Sequence, residues 1–159
     1  MSRTLPRALA RALALTASAL ALALTTSACS LLSFGPRTSA FSMKVGQCVQ
    51  LPTGDGDNVT ELETTDCSAL HDAEVFHLTQ VTEDERPSDS ELEDMGGDAC
   101  LAAFEGYVGI PYEESELDYT MLYPSPGSWE QGDREIICFI ISGDGTDTQL
   151  SGSMKGSNK

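Results

Sequence analysis

The sequence predicts an α+β domain: a small antiparallel sheet covered on one face by a single helix and closed by two disulfides. Three observations predict it. Strands, then one helix, then more strands follow one another along the chain. The run E-I-I-C-F-I-I-S at 135–142 is short, apolar and β-branched, as a central strand should be. Four of the five cysteines are left once an N-terminal segment is set aside. About 110 residues form this domain, near the common size but with a modest core that two cross-links would reinforce.

The N-terminal segment is a targeting signal rather than part of the fold. Residues 1–28 carry Arg3, Arg7 and Arg11 and no acidic residue, followed at 13–24 by a run built almost entirely of Leu and Ala. That run is short for a membrane span, which needs about 20 apolar residues, and it ends in Thr25, Thr26, Ser27 and Ala28. Cys29 then resembles the cysteine of a bacterial lipobox, which implies a mature N-terminus lipidated at Cys29 and held on the outer face of the cell membrane. An odd cysteine in an exported chain needs such an explanation. Residues 29–42, rich in Ser and small side chains, read as a tether.

Hairpin arms are expected at 43–51 and 59–67, flanking the turn cluster P-T-G-D-G-D-N. A strand follows at 73–81, alternating and β-branched. Pro87-Ser88-Asp89-Ser90 signals a helix start, with Glu91, Glu93 and Asp94 in its first turns. Leu92, Met95, Ala99, Leu101, Ala102 and Phe104 give that helix an apolar face, which Gly96-Gly97 is expected to interrupt. A strand at 117–123 stops at Pro124, and after the central strand 148–153 is expected to return as an edge. The domain is set at 43–153, with 152–159 frayed and 154–159 a flexible tail.

Four cysteines allow three pairings. Cys48 and Cys67 lie nearly equidistant from Gly56-Asp57-Asn58, so the hairpin favours Cys48–Cys67 and leaves Cys100, on the helix, to join Cys138 on the central strand.

Charge narrows the function. The whole chain has a formal charge of −16, and loss of the three signal arginines takes it to −19 (−16 less 3), with 25 acidic residues against 6 basic ones. Nucleic acid and anionic headgroups would be repelled. The densest chemistry lies in D-C-S-A-L-H-D-A-E-V-F-H at 66–77. In an oxidising compartment Cys67 is a bridge rather than a nucleophile. His71 and His77 on one strand would sit roughly 20 Å apart, and no four-ligand zinc set is visible. No metal or cofactor is therefore expected, and His71 reads as a structural histidine that bonds a backbone carbonyl or a carboxylate such as Glu74. Trp129, the lone Trp, stands in a Pro/Gly-rich loop that suits either a ligand anchor or a core cap.

Val45-Gly46-Gln47-Cys48, then Cys67 with His71-Asp72-Ala73-Glu74-Val75, then Cys100, Tyr123-Pro124, Trp129 and Gly132-Asp133-Arg134 ahead of Cys138, together resemble the actinobacterial septum formation domain. The resemblance covers about 43–153, and Leu70 stands where that family commonly has Pro. It implies a secreted, lipid-anchored or membrane-tethered protein and brings no catalytic residue with it. The expected function is a non-enzymatic envelope module that contacts an unidentified envelope protein or ligand through His71, Glu74, Trp129 and Arg134. The competing expectations are a metal-dependent hydrolase using His71 and Glu74, and a purely structural domain.

Overall fold

The computed structural model describes residues 36–52, 59–145 and 148–159. The expected signal segment, Cys29, the expected tether as far as residue 35 and the turn residues Gly56-Asp57-Asn58 and Thr146-Asp147 lie outside the described residues. No helix among the described residues is long and apolar enough to cross a membrane.

The main sheet has six strands in the order β1-β3-β2-β5-β7-β6, and every pairing in it is antiparallel. Its strands are β1 (Arg37–Ser39), β2 (Cys48–Gln50), β3 (Glu61–Thr65), β5 (Ala73–Gln80), β6 (Leu117–Leu122) and β7 (Glu135–Ser142). Strand β7 lies between β5 and β6 and is buried on both faces. Cys138 and Ile140 join Phe76, Phe104 and Val108 in one core. Ile137, Phe139 and Ile141 join Val49, Leu62 and Val75 in the other. That two-sided burial explains why 136–141 is apolar throughout instead of alternating with polar residues.

Helix α1 (Asp89–Val108) starts where the sequence signals it. Ser88 caps the helix and Glu91 returns the bond to the Ser88 backbone N–H, the reciprocal capping box. The expected break at Gly96-Gly97 does not occur, and α1 runs unbroken for 20 residues. Gly96 faces the sheet, where any Cβ would run into the Met121 Sδ and crowd Ile136. It is therefore a point of close approach between helix and sheet. Gly109, with φ at 100°, ends the helix. The face carrying Cys100, Phe104, Tyr107 and Val108 packs down, and Phe104 meets Phe76 edge to face at 6.0 Å.

Both disulfides pair as the hairpin geometry predicts. In the hairpin, β2 and β3 set Cys48 opposite Thr65, and Cys48–Cys67 closes with its Cα atoms 5.3 Å apart. Cys100–Cys138 ties α1 to β7.

Three further parts of the chain differ from expectation. Residues 37–39, assigned to the tether, form β1 on the edge of the sheet, with Arg37 opposite Glu63. The return strand is only β8 (Leu150–Ser151), and it pairs with β4 (Leu70–His71) in a separate two-stranded sheet. The residues expected to fray are packed instead: Met154 is buried in the helix-side core, Gly156 N–H donates to Tyr107 O, and Asn158 N–H donates to Val108 O.

Candidate functional site

The H-D-A-E-V signature straddles the corner between the two sheets. Asp72 makes that corner: its N–H donates to Val49 O, and its carboxylate accepts from Leu51 N–H and from the Gln149 side chain. His71, on β4 before the corner, pairs with Leu150, and its Nδ1 lies 2.9 Å from Ala69 O. A carbonyl only accepts, so Nδ1 is the donor and Nε2 is the free ring nitrogen. Among the described residues no partner reaches Nε2, which is buried.

Glu74 follows on β5, opposite Cys48 on one side and Ile140 on the other. It has no exposed surface, and neither does His71. A buried carboxylate is costly unless donors surround it, and three do. Tyr107 OH and Ser153 Oγ each donate to Oε1 at 2.6 Å, and Met154 N–H donates to Oε2 at 2.5 Å. One side chain thus gathers the end of α1 and the C-terminal segment onto β5. The phenol of Tyr107 is pushed well above the usual tyrosine range, first by burial and then by its bond to Glu74.

His71 and Glu74 were expected on a contact surface, and burial corrects that. The alternating strand period would leave one face of 73–81 open, but α1 and the C-terminal segment cover the Glu74 side. His77 sits on β5 opposite Cys138, while His71 is on β4, so the two imidazoles occupy different strands.

A ring nitrogen of His71, a Glu74 oxygen and Cys48 Sγ do lie within 4.8 Å of one another. Zinc sites take three or four protein donors. Here the Cys48 sulfur is bonded to Cys67, and the Glu74 carboxylate already accepts three hydrogen bonds. The donor set does not fit a metal centre in this state.

Trp129 and Arg134 form a second, separate pair. Trp129 lies on the short helix α2 (Pro126–Glu130), capped by Ser125. The Arg134 guanidinium stacks 3.5 Å from its ring centroid and donates to Trp129 O. Trp129 also packs on the small core of Val81, Leu92 and Ile136. Arg134 O receives the Val81 N–H just beyond β5, so this pair sits roughly 20 Å along the sheet from Glu74. Beside it, Tyr123 and Ser125 border two depressions, the larger about 450 Å³ and lined also by Arg86, Asp89, Met121 and Pro126. Glu135, in the smaller one, has its carboxyl held above the usual range by burial and by neighbouring Asp133.

Tyr107, Ser153 and Met154 were not anticipated from the sequence. Tyr107 falls at helical spacing from Cys100 and Phe104, which marks the buried face. Met154 is an apolar residue in an otherwise polar tail. A lone carboxylate within A-E-V-F also demands partners, although nothing local says which.

No curated protein and no solved structure matches the chain. The septum formation family model matches residues 45–159, a range holding the buried H-D-A-E-V corner, both disulfides, the Trp129–Arg134 stack and the packed C-terminal segment, and the chain therefore belongs to the septum formation family.

Proposed function

We propose that the mature chain is a lipid-anchored module on the outer face of the cell membrane, acting in septum formation by binding an envelope partner rather than by catalytic turnover. The observation that carries this reading is the inward use of the signature. His71 and Glu74 have no exposed surface, and Glu74 is occupied by Tyr107, Ser153 and Met154. The Tyr123–Arg134 loop is the better contact surface, because Trp129 is only partly buried and depressions flank Tyr123. A strongly negative mature chain suits a basic or neutral partner. Two disulfides and a signal segment support export.

The test compares capture from envelope extract by the lipid-free domain and by its Trp129→Ala variant. The reading expects a protein retained by the first and lost by the second, with both domains folded. Equal capture by the two would move the surface elsewhere. Stoichiometric zinc in protein with intact disulfides, lost in a folded His71→Ala variant, would replace the binding module with a metal-dependent hydrolase. Cys29→Ala is expected to release the chain from membranes, and retention would reject the lipid anchor.

A further inference from the structure

The two sulfurs of the Cys48–Cys67 disulfide have different surroundings. Cys48 is 1% exposed and packed beneath the sheet corner. Cys67 is partly exposed, and an open cleft of about 590 Å³ is lined by both cysteines with Gly46, Gln47, Thr64, Thr65 and Asp66. Beside the buried sulfur stands His71, with a ring nitrogen within 4.8 Å of Cys48 Sγ and its Nε2 without a partner among the described residues. A buried imidazole nitrogen left unpaired is uncommon, because an unsatisfied buried polar atom costs about 1–3 kcal/mol. Thiol–disulfide exchange depends on which sulfur can be reached and on how well the other leaves as thiolate.

We propose that Cys48–Cys67 is an exchangeable bridge through which the domain takes a cysteine-bearing protein as a mixed disulfide on Cys67, with His71 handling the proton at Cys48. In the opening direction the partner's thiolate, its proton lost to solvent, attacks Cys67 Sγ. A bond forms between Cys67 and the partner sulfur, the Cys48–Cys67 bond breaks, and its electron pair leaves on Cys48. A proton taken from solvent and passed through Nε2 turns Cys48 into a thiol. In the closing direction Cys48 gives that proton to Nε2 and attacks Cys67, expelling the partner as thiolate. No external oxidant or reductant is consumed in the cycle. The Nδ1–H bond to Ala69 O leaves Nε2 as the acceptor this exchange needs. A ring nitrogen of His71 lies within 4.8 Å of Cys48 Sγ, and opening the S–S bond frees the sulfur to turn toward it. Cys100–Cys138 has both cysteines fully buried between α1 and β7 and does not take part.

The experiment uses the folded mature chain with both disulfides intact and reduced glutathione as the probe, followed by alkylation and peptide mapping. Glutathione is expected on Cys67 and not on Cys48, with Cys100–Cys138 still closed. His71→Gln is expected to slow opening on the order of 100-fold. Glutathione on Cys48, opening of both bridges together, or an unchanged rate in folded His71→Gln would each overturn the proposal. The adduct position is read on the unmutated chain, so it decides even where the variant does not fold.

Discussion

At the residue scale, Glu74 is the side chain on which most of this end of the molecule depends. Replacing it with Ala leaves the Tyr107 hydroxyl, the Ser153 hydroxyl and the Met154 N–H without their acceptor. The expected cost is roughly 3 kcal/mol or more in urea unfolding with the disulfides intact, a large share of the 5–15 kcal/mol typical of a domain. Glu74→Gln should cost less, because its carbonyl oxygen can still serve Oε1's donors while its amide faces Met154 N–H. Tyr107 adds a pH dependence whose sign is fixed. Its folded phenol titrates above the usual value near 10, so its contribution is complete below pH 10 and shrinks as the pH rises beyond it, where the unfolded chain gains by ionising. Tyr112, whose hydroxyl donates to Asp118, is pushed up to about 12 and acts in the same direction. Unfolding midpoints should therefore fall above pH 10, and Tyr107→Phe should flatten the fall.

At the scale of the elements, two adjacent glycines in α1 have opposite meanings. Gly97 has open space where a Cβ would stand, so Gly97→Ala is expected to stabilise the domain by about 0.5–1 kcal/mol through helix propensity. Gly96→Ala must displace Met121 and crowd Ile136, and its gain should be cancelled or reversed. Thermal melts of the two variants check both signs. Helix α1 was legible in the sequence because Ser88 and Glu91 mark its start and its apolar face repeats at helical spacing. Its continuity through the glycines was not, because the contact that requires Gly96 lies on another element. Strand β7 was legible from its unbroken apolar run, and the β2–β3 hairpin from the turn cluster that separates its arms. Strand β1, three residues of R-T-S, has no pattern of its own and is defined by pairing with β3. The short β4 and β8 are likewise defined only by each other.

At the scale of the whole molecule, the septum formation signature holds parts of the fold together across long stretches of sequence. Cys48–Cys67 closes the hairpin, Cys100–Cys138 fixes the helix to the sheet, and Glu74 fixes the last residues to both. That His71, Glu74, Trp129 and Arg134 stand out chemically was legible, and each makes a specific contact within the fold. Their orientation was not, since Glu74's donors lie 33 to 80 positions away in the chain. The same distance hid the packing of 152–159, whose Gly, Ser and Lys composition reads as a loose end. The central claim is that the signature acts inward, holding that C-terminal segment on the sheet. Amide hydrogen exchange at Met154 tests it most directly. The N–H should be protected to nearly the level of β7 in the native chain and lose most of that protection in Glu74→Ala, while β7 stays protected. Rapid exchange at Met154 in the native chain, or protection unchanged by Glu74→Ala, would contradict it.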